Sequence, residues 1–158
     1  MTIFSLNNTQ EELTAAFCKA HVEMHGTGDH TLTKEMTAIH EAGHGVIYRL
    51  IGIAPFAEIT QDHDGYWVGY CGQERGKRMV AKNVIEYMAA DIITSMSGYT
   101  AEKELTSQYC LSSSGSDKAK AQTATLLLAK FNQLNPNYVF AACQTATDDL
   151  INEHSNAV

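Results

Sequence analysis

Basic residues are scarce in this chain: Lys and Arg number 11 against 18 Asp and Glu, a formal net charge of −7. A phosphate backbone is held by clustered Lys and Arg, so this balance argues against a nucleic-acid partner. The densest basic group, Arg75, Lys77 and Arg78, reads as a solvated turn. Paired cysteines are missing as well. Cys18, Cys71, Cys110 and Cys143 are scattered without a C-x-x-C, which excludes a metal knuckle and suits reduced, partly buried thiols. Long apolar runs are absent: the most apolar stretch, 45–57, is broken by Arg49 and Pro55 and is too short for a bilayer, so no membrane is expected. "MTIFSLNNTQEEL" has no basic region leading into an apolar one, so no export signal is expected and the expected location is cytoplasmic.

What remains is the composition of a soluble globular protein, 158 residues with 44% hydrophobic and 18% charged. That length suits one domain over 1–158, and no repeat or linker divides it. Thr9 to Glu12 fits a capping box ahead of Leu13, Phe17, Ala20 and Met24, predicting a first helix that stops near Gly26. A second is expected from about Thr33 to Gly52, with Met36, Ile39, Val46, Ile47 and Leu50 inward. The period then changes. Phe56 to Gln61 and Tyr66 to Cys71 read as two strands around an Asp-Gly turn.

A long third helix is expected from about Lys77 to Ser97 on Val84, Ile85, Met88, Ile92 and Met96, closed by Gly98, with a short helical piece from Thr100 to Leu105. After a polar loop, Ser116 reads as the N-cap of a helix using Ala121, Ala124, Leu127, Leu128, Phe131 and Leu134. Asn135-Pro136 starts the last one, with Val139, Ala142, Cys143, Ala146 and Leu150 inward. The expected fold is mainly α, five to six helices with a small two-stranded β-ribbon.

The second helix carries "HEAGHG", residues 40–45. Glycine inside a helix costs about 1 kcal/mol relative to alanine, so two of them call for a reason. His40 and His44, at i and i+4, share a face and can converge on one ion. Zinc accepts neutral imidazole, and a catalytic zinc takes three protein ligands and leaves one position for water. Glu41 stands beside the first ligand, placed to take a proton from that water. Gly43 and Gly45 fit a metal-binding face that another backbone or a substrate must approach closely. The alternative is that they are merely tolerated.

Several residues compete to be the third ligand. An H-x-x-G-x-x-H extension is excluded by Ile47 and Leu50. Asp64 and His63 sit in the hairpin turn, where a helical ligand is expected, and "CLS" at 110–112 follows the histidines instead of preceding them. Asp117 begins a helix, where an acid also serves simply to offset the helix dipole; taken alone, that reading is the stronger.

HEAGH on a helix ending in "RLIG", a β-ribbon, a long helix closing with "SGYTAEKEL" and then "SSGSDKAKA" resembles the peptidase domain of the FtsH-type ATP-dependent zinc metalloproteases. The likeness spans roughly 34–150, with HEAGH the specific part. It implies zinc as cofactor, with His40, His44 and Asp117 as ligands and Glu41 as general base. It also aligns Glu102 with an acid of the middle motif, which can accept a hydrogen bond from a ligating histidine or be a solvated acid at a helix end. Gly45 replaces the family's alanine, Ser97 to Ala101 replace its GGRAA run, and Ser116 its asparagine.

The resemblance implies a metalloendopeptidase that takes an extended peptide along the ribbon edge near Tyr66 to Cys71; read alone, the ribbon is equally a simple structural hairpin. No G-x-x-x-x-G-K-[ST] occurs, "GQERGKR" at 72–78 being one residue short, so the expected substrates are peptides or unfolded segments unless a separate ATPase feeds the site. The family's rings imply a possible homo-oligomer. Two other functions stay open, a degenerate relative that only binds or regulates, and a zinc hydrolase of non-peptide amides.

Overall fold

The computed structural model describes residues 32–73, 83–108 and 115–158. The expected first helix, the basic trio, Cys18 and Cys110 lie outside them. Helix α1 (Lys34–Leu50) opens on Thr33, whose hydroxyl accepts the Met36 N–H at 3.2 Å. Strands β1 (Pro55–Gln61) and β2 (Trp67–Gln73) form an antiparallel pair in which Ile59 faces Gly69. Asp62 closes their turn by accepting the N–H groups of Asp64 and Tyr66, and Gly65 takes φ +83 there. Helices α2 (Val84–Thr106), α3 (Gly115–Asn132) and α4 (Pro136–Glu153) follow, then a 3-10 turn at Ser155–Ala157. The protein is thus mainly helical with one two-stranded sheet.

α2 is the axis of the molecule, packed against α1, α3 and α4. Touched on three sides, it shows no single apolar stripe, and its residues from Thr94 to Glu102 are all buried. Ile92, Met96 and Tyr99 meet Ala121, Ala124 and Leu128 of α3 and Val139 and Cys143 of α4. A second cluster joins Ile47 of α1, Ala101 of α2 and Ile151 of α4. No helix among the described residues is long and apolar enough to cross a membrane.

Several expectations need correction. α2 begins after Asn83, whose side chain accepts the Glu86 N–H at 2.9 Å, and not near Lys77. It then passes through Gly98 without a break and ends at Ser107, which adopts φ 57. Ser116 lies in the first turn of α3 and does not cap it. Leu50, Val84, Ile85, Leu127, Phe131 and Leu134 are exposed; on α3 the face toward α2 uses the smaller Ala121 and Ala124 with Leu128.

Candidate metal centre

α1 turns His40, Glu41, Gly43 and His44 inward onto α2 and the sheet. His44 Nδ1 lies 2.7 Å from the Thr94 carbonyl and 3.1 Å from Ser97 Oγ. A carbonyl has no proton to give, so Nδ1 carries it and Nε2 keeps its lone pair. Ser97 donates its own hydroxyl to the same carbonyl at 2.6 Å, leaving a lone pair for the imidazole. His40 Nδ1 is held 2.6 Å from Glu102 Oε1, and Glu102 is fully buried. The carboxylate accepts that N–H and fixes the same tautomer. Being buried, Glu102 is not the solvated helix-end acid of the alternative reading.

With Nδ1 committed on each ring, both Nε2 atoms are turned to one point as the nitrogens free to ligate once deprotonated, and Asp117 brings a carboxylate oxygen to it. His40 Nε2 and His44 Nε2 are 3.1 Å apart; Asp117 Oδ2 stands 3.3 Å from the first and 3.2 Å from the second. Three electron-rich atoms in such a triangle need a shared cation, a proton or a metal. Zinc bonds of about 2.0–2.1 Å in a tetrahedron set neighbouring ligand atoms about 3.3–3.4 Å apart, close to the sides observed. The residues fit a divalent ion, and His40, His44 and Asp117 are the described His, Cys, Asp and Glu residues whose ligand atoms converge in this way.

The electrostatics follow from the crowding. Burial alone would lower the His40 pKa, but hydrogen bonds to Asp117 and Glu102, with the charges of Glu102 and Glu41, outweigh it and raise it to about 9. Burial would raise Asp117, yet its contacts with the protonated His40 and with His44, together with the nearby Lys120, hold it well below the usual carboxylate range. Lys120 Nζ sits 3.1 Å from Asp117 Oδ1, so each carboxylate oxygen has its own positive partner. Glu41 is raised, chiefly by burial.

Glycines clear the space. A Cβ on Gly98 would come 2.6 Å from His40 Cδ2, so the His40 ring rests directly on the backbone of α2. One on Gly69 would lie 2.5 Å from Glu41 Cγ, so β2 passes directly over the Glu41 side chain. At Gly43 it would meet the Ser97 carbonyl at 2.6 Å and Ala101 Cβ at 2.7 Å, the close backbone approach expected for that glycine. Gly45 is different: its nearest neighbour would be Pro55 at 3.9 Å, an ordinary contact. Gly45 is merely tolerated by the packing.

The site opens into a cleft of about 230 Å³ between β2 and the start of α3, and Trp67 through Cys71 all border it. Side chains alternate along a strand, so five consecutive residues on one cleft mean that the strand runs along it. Asp64 and His63 stay in the exposed turn, 3.2 Å from each other and apart from the triangle. Thr94, Ser97, Gly98, Gly69 and Lys120 were not singled out from sequence as site residues. The signal for two of them was present, since Thr94 and Gly98 recur with the expected Glu102 at i, i+4 and i+8 along the face of α2 that meets His40 and His44. No protein-family model matches this chain, and a search of curated proteins finds no match either.

Proposed function

We propose that this chain is a zinc-dependent endopeptidase, similar in plan to the peptidase domain of the FtsH-type metalloproteases. His40, His44 and Asp117 would hold the ion. The observation that carries the reading is the triangle of two imidazole nitrogens and one carboxylate oxygen with sides of 3.1 to 3.3 Å, both lone pairs oriented by Nδ1 partners. Zinc, when bound there, would supply Lewis acidity that makes a water easier to deprotonate near neutral pH. Glu41, in the same cleft and made more basic by burial, accepts the proton of the attacking water and returns it to the leaving amine. The β2 edge along the cleft suits an extended peptide, which would add itself as a further strand and bring its scissile carbonyl to the site. Peptides and unfolded segments are the substrates, with a separate ATPase as the partner that would deliver folded ones.

The test is metal content beside cleavage. Wild type should carry one zinc per chain, and His44→Ala and Asp117→Ala should lose it. Glu41→Gln should keep zinc while its cleavage of unfolded casein falls by at least about 100-fold. Zinc retained by Asp117→Ala would remove that residue as a ligand. Zinc held without any cleavage of casein would point to a non-peptide amide or a binding role.

A further inference from the structure

A second cavity, of about 410 Å³, is lined by Tyr48, Ile51, Ile53, Tyr87, Asp91 and Thr94 among others. It is built largely on the elements that carry the metal centre, α1, α2 and β2. Tyr48 follows His44 by one turn of α1, about 6 Å along the axis. Thr94, whose carbonyl orients His44, also borders this cavity. β2 connects the two spaces, its residues Trp67 to Cys71 along the metal cleft and Gln73 on the second cavity. An extended chain paired with β2 therefore passes from one to the other.

The chemistry of the walls is mixed in a particular way. Tyr48, Tyr87, Ile51 and Ile53 offer apolar surface, while Asp91 is the charged residue among the described residues of the lining. Asp91 is exposed at this rim and makes no ion pair within 4 Å among the described residues. Partial burial raises its carboxyl, with the more distant charge of Lys120 opposing. The Thr94 hydroxyl is buried and has no hydrogen-bond partner among the described residues. A long side chain with an aliphatic stem and a cationic head suits such walls, the stem on tyrosine and isoleucine and the head at the carboxylate.

We propose that this cavity is a specificity subsite for a Lys or Arg side chain close to the scissile bond, with Asp91 as its counter-charge. The proposal rests on the peptidase reading above. It is tested on the full zinc-loaded chain with peptide hydroxamates, whose chelating group anchors at the metal. Two series place a variable side chain (lysine, norleucine or glutamate) on the amino or the carboxyl side of that group. In one series lysine should bind about three- to fivefold more tightly than norleucine, and glutamate more weakly than both. Asp91→Asn should bring lysine down to norleucine without changing zinc content or norleucine affinity, and Asp91→Lys should favour glutamate. Equal lysine and norleucine affinities in both series, or a lysine advantage that survives Asp91→Asn, overturns the subsite and leaves the metal centre standing. Failure of every hydroxamate to bind, with no zinc in the protein, sinks the peptidase reading and this subsite with it.

Discussion

At the scale of single residues, the centre depends on where protons sit. Glu102 does not face the converging atoms; it acts through His40, and its removal tests that role. Glu102→Ala would leave the His40 Nδ1–H buried without its carboxylate, a loss of about 1–3 kcal/mol of stability. Zinc affinity should fall about 10- to 100-fold, because the ring can then turn and change tautomer. Glu102→Gln, whose amide oxygen can still accept from Nδ1–H, should recover most of the stability and part of the affinity. Competition titration against a chelator reads both. An Ala variant that binds zinc like wild type would show that the 2.6 Å contact is not what orients His40.

At the scale of elements, the geometry turns on how closely α1 and β2 approach their neighbours. Alanine is a better helix former than glycine by about 1 kcal/mol, so an unopposed Gly→Ala in α1 should stabilise. Gly45→Ala, with Pro55 at 3.9 Å as its nearest neighbour, should raise stability by about 0.5–1 kcal/mol. Gly43→Ala, with the Ser97 carbonyl at 2.6 Å, should destabilise by about 1–3 kcal/mol as α1 is pushed off α2. Denaturant unfolding of the two variants should move in opposite directions; a shared direction would mean that the helix contact is not tight. Gly98→Ala makes a third case. Its Cβ would fall on the His40 ring, so zinc binding should be lost even where the helix itself gains.

The two glycines of "HEAGHG" look alike in sequence, and only the neighbouring helix tells them apart. The same holds for Gly98. A glycine after an apolar series reads as a helix stop by local rules, but here it interrupts nothing. Burial by three neighbouring helices overrides the local preference, and an imidazole occupies the space that its side chain would take.

At the scale of the whole molecule, the centre links stability to pH and, on the zinc reading, to metal. Unfolded His40 titrates near 6.5 and folded His40 at about 9, so its contribution is full below 6.5 and is lost as pH rises to 9. Asp117 is lowered on folding, so its contribution is present above 3.8 and lost as pH falls through its folded value. Protein stripped of metal by a chelator should therefore be most stable between about pH 4 and 6.5 and soften toward pH 9. Zinc must displace the His40 proton, so the stabilisation by added zinc should grow over that same interval. Melting temperatures with and without zinc at pH 6 and 8.5 check this. A zinc effect that does not increase with pH would place the shared proton elsewhere.

The sequence by itself determined the local things. It set the i, i+4 pair of histidines with Glu41 between them, the caps at Thr33 and Asn135, the Asp-Gly turn and a chain dominated by helices. These depend on contacts within a few residues, and such contacts are written in the order of the chain. Which carboxylate joined the pair was not written there: Asp117 is 73 residues from His44, and alone it reads as an ordinary first-turn acid. Its place was decided by α2, which packs against α1 and α3 together and so carries the start of α3 to the inner face of α1. The shared tautomer of both histidines was likewise decided there, by a buried acid and a backbone carbonyl two turns apart on α2. Contacts made across the core are chosen by packing, and packing exists only once the helices have met.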